Sequence, residues 1–159
     1  MDLAAFSLLA APRLHLWTSP VGSIYDSLWK WEMELPGKRM ARIIRGAHCW
    51  SAPEFFAECA SALQFPPHFG NNWDAFADSF RDWRRWGDKT TILLCFTDAD
   101  RLLAGSSETR TALSEILADV LATENDAKKP RPFHAILHSA KGGTVGLKKS
   151  WPDLVPLQG

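Results

Sequence analysis

Three aspartates, Asp74, Asp78 and Asp82, follow one another at intervals of four residues. In a helix this spacing places the three carboxylates in one row, which we call the acidic row. Four aromatic residues fall within an arc of about 80° on the other side of the same helix. These are Trp73, Phe76, Phe80 and Trp83. The pattern predicts an amphipathic helix that packs its aromatic side on the core and turns its acidic row outward.

A row of outward carboxylates has three interpretations: a solvated polar face, an acid–base pair, or a binding surface for a positively charged partner. Catalytic carboxylates usually have pKa values shifted by burial or by each other. Asp74 and Asp78 are expected to be exposed on a convex helix, which cannot enclose a substrate. No Ser/His/Asp or Cys/His set has a recognisable spacing either. We therefore predict that the protein is not an enzyme.

The loop before this helix favours the binding interpretation over simple solvation. The segment Pro66-Pro-His-Phe-Gly70 is rigid and aromatic, and no helix can cross its two prolines. Asn71 or Asn72 then caps the helix. Loop and acidic row together predict a stiff surface, partly apolar and partly anionic, that suits a concave cationic site on a protein partner. Arg81 lies on the same face and could either pair with the carboxylates or contact the partner.

The charge of the chain is unevenly distributed. The formal net charge is zero, from 18 basic and 18 acidic residues, yet residues 46–80 contain four carboxylates and no Lys or Arg. That stretch carries −4 and the remainder therefore +4, and such local fields steer partners. General affinity for nucleic acid needs a basic excess, so we expect no direct binding of nucleic acid.

No pattern in the sequence indicates a metal or a cofactor. His134 and His138 could share a strand face and His48 precedes Cys49, but further ligands at suitable spacing are missing. The segment 142–150 is glycine-rich yet lacks the Gly-Lys-Ser/Thr ending of a phosphate-binding loop. We interpret these residues as ordinary core or surface positions and expect neither metal nor cofactor.

The cysteines and the hydropathy pattern predict a cytoplasmic location. Cys49, Cys59 and Cys95 are odd in number and far apart, which favours free thiols in a reducing compartment. Residues 1–11 contain no basic residue, so a signal peptide is not expected. No apolar run approaches the roughly 18 residues that would indicate a membrane span.

Periodicity and capping signals predict an α/β fold. A Ser23–Asp26 capping box begins a first helix, and Ser51 with Glu54 begins a second one. Strands are predicted at 13–17, 40–45, 90–96 and 133–138, and helices at 23–35, 51–63, 72–83 and 107–122. This order predicts a small parallel sheet of three to four strands packed with helices. The tail from Lys141 is expected to be loop or loosely docked.

The run from Phe69 to Trp83 resembles the barstar family of ribonuclease inhibitors. The family pattern is an aromatic residue, Gly, any residue, Asn, an apolar residue, Asp-Ala, an apolar pair and Asp, with a Trp five residues further on. The likeness covers about residues 40–140. It implies a barstar-like domain over 40–140, an N-terminal extension over 1–39 that forms a strand and a helix packed on the domain, and a C-terminal tail over 141–159.

The resemblance also implies a function. Barstar-like proteins plug the active site of a barnase-like ribonuclease, so this protein is expected to be an inhibitor or immunity protein that binds a nuclease toxin 1:1. Asp78 would place its carboxylate where the nuclease holds an RNA phosphate, and Asp74 would support it. The other residues implied at the interface are His68, Phe69, Gly70, Asn72 and Trp83. The alternative is a barstar-like interaction module with a partner that is not a ribonuclease.

Overall fold

The structure, a computed structural model, describes residues 3, 6, 13–85, 91–126, 132–139 and 144–157. The helices in these ranges are α1 (Val21–Glu34), α2 (Ala52–Leu63), α3 (Trp73–Arg85), α4 (Ser107–Asp126) and α5 (Thr144–Ser150). The strands are β1 (Leu14–Trp17), β2 (Arg39–Arg45), β3 (Thr91–Thr97), β4 (Phe133–His138) and β5 (Val155–Pro156).

The sheet has the order β2-β3-β4-β1-β5, and its neighbouring strands are parallel. The predicted α/β class and parallel sheet are confirmed. The predicted number of three to four strands is wrong, because the described part of the chain forms five. The strand that sequence reasoning missed is β5, which has two residues and therefore no detectable alternation. Its position depends on a hydrogen bond from the Leu157 amide to the Leu16 carbonyl, at 2.8 Å.

Segments outside 40–140 enter the sheet from both ends of the chain. β1 lies between β4 and β5, with Leu14 opposite Ala135 and Trp17 opposite His138. Of the two expectations for the tail after Lys141, the loop is wrong, because residues 144–150 form a helix and residues 155–156 form a strand. The division into extension, domain and tail stays a prediction, but β1 is an interior strand of the sheet.

The two faces of the sheet are covered by different helices. The chain crosses from β1 to β2 in one direction and returns through β3, β4 and β5 in the other. Right-handed crossovers therefore place α1 on one face and the later helices on the opposite face. Ile24, Leu28 and Trp31 of α1 accordingly pack with Leu93 and Cys95. The opposite core contains residues of α2, α3 and α4, among them Phe55, Phe76, Phe80 and Leu117.

The first two helices begin differently. The capping box predicted at Ser23 is wrong: α1 begins at Val21, and the Ser23 hydroxyl donates instead to the Pro20 carbonyl, at 2.8 Å. The box predicted at the start of α2 is confirmed. The Glu54 carboxylate accepts hydrogen bonds from the Ser51 amide at 2.8 Å and the Ser51 hydroxyl at 2.9 Å. These bonds lower the pKa of Glu54.

Carboxylates cover the edge of the sheet at β2. Glu32 accepts the Ala41 amide at 3.1 Å. Glu58 accepts the Arg45 amide at 3.1 Å and also binds the Arg45 guanidinium, at 2.7 and 2.8 Å. An open strand edge invites pairing with other chains, so these two carboxylates protect it.

The three cysteines and His138 occupy structural positions. All three cysteines are buried as free thiols, and burial raises the pKa of Cys49 to about 12. His138 lies between two loops: its Nδ1 accepts the Asp98 amide at 3.2 Å, and its Nε2 lies 2.8 Å from the Ser19 carbonyl. Among the described residues, no group of three or more His, Cys, Asp or Glu is placed to hold a metal ion. None of the described helices combines the length and apolarity that crossing a membrane requires.

His15 and His134 form a buried pair beneath Phe6. The His15 Nε2 and His134 Nδ1 atoms are 3.1 Å apart, and the Phe6 ring meets the His15 ring edge-on at a centroid distance of 4.7 Å. Burial, and next the neighbouring His134, lower the pKa of His15 from 6.5 to about 4. The folded protein therefore holds His15 neutral at a pH where the unfolded chain would protonate it.

This pair predicts a loss of stability in mild acid. The unfolded chain binds the extra proton as the pH falls from about 6.5 to about 4, so the free energy of unfolding should fall by about 3 kcal/mol over that interval. Urea unfolding at pH 7, 6, 5 and 4 measures this, and His15→Leu should flatten the pH dependence. Trp50→Leu, at an exposed residue that does not titrate, is the control and should keep the wild-type slope. Equal slopes for His15→Leu and the wild type would contradict the assignment.

Candidate partner-binding site

The aromatic side of α3 packs on the core, as its pattern predicts. Phe76 and Phe80 are fully buried, and Trp73 stacks on Phe55 at a centroid distance of 5.5 Å. The backbone of Trp83 belongs to α3, whereas its side chain lies outside the described part of the structure. Because the aromatic side of α3 packs on the core, the opposite side of the helix must face outward.

The acidic row lies on that opposite side. Asp74, Asp78 and Asp82 are all exposed, and the Asp78 side chain keeps 81% of its surface accessible. Asp74 occupies the first turn of α3, where the helix dipole favours a carboxylate. The structure thus presents the three carboxylates together on a rigid helix.

Arg81 pairs within the protein. Its guanidinium donates to Asp119 of α4 at 2.8 Å and makes a longer contact of 3.3 Å with Asp78. The shorter bond goes to Asp119, so Arg81 connects α3 to α4 more than it neutralises Asp78. Exposed pairs of this kind contribute up to about 1 kcal/mol to stability. Sequence reasoning missed Asp119, because it lies 38 residues after Arg81 and no local spacing connects them.

The four carboxylates of the acidic stretch 46–80 divide into two groups. Glu54 caps α2 and Glu58 binds Arg45, so both serve the fold. Asp74 and Asp78 remain exposed and point away from the core. Their surface, rather than the whole stretch, supplies the field that a partner would meet.

The loop before α3 is fixed by its own aromatic residue and by a close approach to the helix. Phe69 is half-buried, with ring centroids 5.1 Å from Phe65 and 6.0 Å from Phe56. A Cβ atom on Gly70 would lie 3.2 Å from the Ala75 Cβ. Glycine therefore lets the loop approach the first turn of α3 closely. His68, by contrast, is exposed.

Asn72 joins this loop to α3. Its Oδ1 accepts the Ala75 amide at 2.8 Å, which confirms an asparagine cap, and its Nδ2 donates to the Gly70 carbonyl at 3.3 Å. The preceding Asn71 has a φ of +49°. The amide of Asn72 is thus used by the protein itself, and its role at the site is to position the loop.

Loop and helix enclose a cleft of about 280 Å³. Its walls include His68, Phe69, Gly70, Ala75, Asp78, Ser79 and Asp82. Two carboxylates and an aromatic ring in its lining suit a long cationic side chain, since a guanidinium binds carboxylates in a bidentate manner. Sequence reasoning named neither Ala75 nor Ser79 as a site residue.

The family of the chain is decided by a match along most of its length. The family model for Barstar (barnase inhibitor) matches residues 39–138. This chain belongs to the barstar family. The matched region runs from β2 to β4 and includes the loop, α3 and the acidic row, whereas β1, α1, α5 and β5 lie outside it.

Solved structures show the wider fold. The chain is similar to Cdc6p from Pyrobaculum aerophilum, with a TM-score of 0.53 and 19% identity over 91% of this chain and 38% of that one. A structure of Drosophila ORC bound to AT-rich DNA and Cdc6 matches with a TM-score of 0.51 and 14% identity, over 91% of this chain and 47% of that one. The chain thus spans less than half of both. At these identities the likeness concerns the fold alone. No curated protein matches the chain.

Because Asn72 caps α3 and holds the loop, we expect truncating its side chain to lower the stability of the protein. Asn72→Ala removes the cap of α3 and the bond to Gly70, so the free energy of unfolding should fall by about 1 kcal/mol in urea titrations. Asn71→Gly is the matched control and should leave stability within about 0.5 kcal/mol of the wild type, since glycine adopts a positive φ readily. Equal stability of Asn72→Ala and the wild type would contradict the positioning role.

Proposed function

We propose that this protein inhibits a barnase-like ribonuclease by binding its active site 1:1 through the acidic row and the loop 66–70. The observation that carries the proposal is the exposed Asp78 on a core-anchored helix in a chain of the barstar family. As a cytoplasmic inhibitor it would act as an immunity protein or antitoxin that protects cellular RNA.

Electrostatics supports this assignment. A ribonuclease holds the phosphates of RNA with cationic side chains, so its active site is a concave cationic surface. A carboxylate on a convex helix can take the place of a phosphate there, and charge-assisted hydrogen bonds are the stronger kind. Asp78 would occupy the centre of the contact and Asp74 would bind beside it.

Preorganisation supports it as well. The burial of Phe76 and Phe80 holds α3, and Asn72 holds the loop. Binding therefore loses little conformational freedom, which is a main penalty of association. In this arrangement His68 and Phe69 cover the rim of the partner's site, and the cleft beside Asp78 receives one of the partner's cationic side chains.

The alternative is an interaction module with a partner that is not a ribonuclease. The elements β1, α1, α5 and β5 outside the family match favour it, because they add surface that the family region lacks. Deleting residues 1–39 cannot test this alternative, since β1 is an interior strand of the sheet. Point variants on exposed surfaces are needed instead.

Truncating Asp78 should abolish tight inhibition while the fold persists. We expect Asp78→Ala to weaken binding to a barnase-type ribonuclease by at least about 2 kcal/mol, or thirtyfold, because the nuclease's cations would stay buried and unpaired. The measurement is inhibition of RNA cleavage together with calorimetry, at low and high salt. The wild type should inhibit stoichiometrically and lose affinity as salt rises.

Glu115→Ala is the matched control for this experiment. Glu115 is an exposed carboxylate in the middle of α4, so its removal changes the net charge equally without touching the acidic row. It should leave inhibition near the wild-type level. Equal affinity of the Asp78→Ala variant and the wild type would rule out the mechanism. No inhibition by the wild type would leave the interaction module as the interpretation.

Removing Arg81 should speed association. Arg81→Ala takes a positive charge from beside Asp78, so steering of a basic nuclease should strengthen and the association rate should rise a few-fold at low salt. Stopped-flow fluorescence measures the rate, and the increase should vanish at high salt. A slower association with a weaker complex would instead indicate that Arg81 contacts the partner.

A further inference from the structure

Four large apolar side chains form an exposed ridge along the outer side of α1. They are Val21, Tyr25, Trp29 and Met33, with exposed fractions of 38, 41, 64 and 46%. Their spacing of four residues places them in one continuous row, which we call the apolar ridge. Over 14 residues the helix is about 21 Å long, so the ridge extends along nearly its whole length.

The apolar ridge is not needed to hold α1 on the sheet. The inner side of the helix already buries Ile24, Leu28 and Trp31. A single exposed apolar side chain needs no explanation, but a continuous exposed apolar patch marks an interaction site. The ridge is therefore a candidate binding surface, separate from the inner side of α1 that contacts the sheet.

The neighbouring row of α1 leaves room for an occupant. It begins with Gly22, where an added Cβ atom would meet no atom within 4 Å. Packing inside the chain thus does not require glycine, although glycine is unfavourable within a helix. Gly22 therefore leaves open space beside the ridge, into which a side chain of a second helix can pack.

The charges beside the ridge fit a second copy of this chain. Asp26 and Lys30 are exposed in the same row as Gly22, one turn apart. A two-fold axis that passes the outer side of α1 midway between Asp26 and Lys30 makes the second helix antiparallel and brings Asp26 of each copy opposite Lys30 of the other. The same axis lets Tyr25 and Trp29 interdigitate with their equivalents. The surface is therefore self-complementary in charge, because each copy offers one aspartate and one lysine to the other. An isologous interface requires such self-complementarity.

We propose that the protein forms a two-fold symmetric dimer through the apolar ridge of α1. Because α1 and α3 lie on opposite faces of the sheet, the acidic row stays open in both copies. The proposal is therefore independent of the ribonuclease assignment. The interface is small, so its affinity should lie in the micromolar range.

Analytical ultracentrifugation over about 1–100 µM tests the dimer. The wild type should change from monomer to dimer with rising concentration. Trp29→Ser should raise the dissociation constant at least about thirtyfold, since a central tryptophan carries much of the binding energy. Trp50→Ser is the matched control, because Trp50 is also exposed, at 56%, and lies outside α1. A monomeric wild type throughout the range, or a dimer unaffected by Trp29→Ser, would overturn the proposal.

Charge exchange tests the antiparallel register. Asp26→Lys places two lysines opposite each other, and Lys30→Asp places two aspartates opposite each other, so each variant alone should be monomeric. An equimolar mixture should form a heterodimer, because each copy then faces the opposite charge. Recovery in the mixture also demonstrates that both variants are folded. A mixture that remains monomeric would overturn the register, and with it the assignment of a second copy as occupant.

Discussion

The burial of the aromatic side of α3 is the interaction on which the rest of the site depends. Full burial of a phenylalanine contributes about 1.5–3 kcal/mol, and Phe76 and Phe80 are both fully buried. The exposed pair between Arg81 and Asp78 contributes far less. Hydrophobic packing therefore determines the direction of α3, and the outward carboxylates are available for binding because stability depends on them less than on the buried rings.

Acidic residues serve two different purposes in this protein. Three carboxylates accept backbone amides and so serve the fold. Glu54 caps the start of α2, and Glu32 and Glu58 cover the edge of β2. Asp74 and Asp78 serve the second purpose, since both are exposed on α3, where a partner can reach them. A chain with no net charge can therefore present an anionic face, because its positive and negative side chains are balanced over the whole molecule and not on each surface.

The strands outside the family match protect the edge of the sheet beyond β4. Within residues 39–138 the last strand is β4, whose six residues are all buried. Such a strand would be a hydrophobic edge if the sheet ended there, and exposed apolar edges promote aggregation. β1 covers β4, and the new edge is β5, which has two exposed residues and contains Pro156. A short edge strand with proline resists further pairing.

The elements whose signals are local could be predicted from the amino-acid sequence. Helical periodicity predicted both sides of α3, the Ser51–Glu54 pair predicted the start of α2, and the motif around Asp78 predicted the family. Tertiary structure decided what depends on residues far apart in the chain. The bond from Arg81 to Asp119, the His15–His134 pair and the pairing of β5 with β1 join segments 38 or more residues apart. Periodicity and capping report only on neighbours within a turn or two, so contacts between distant segments become visible only once the sheet and helices have packed.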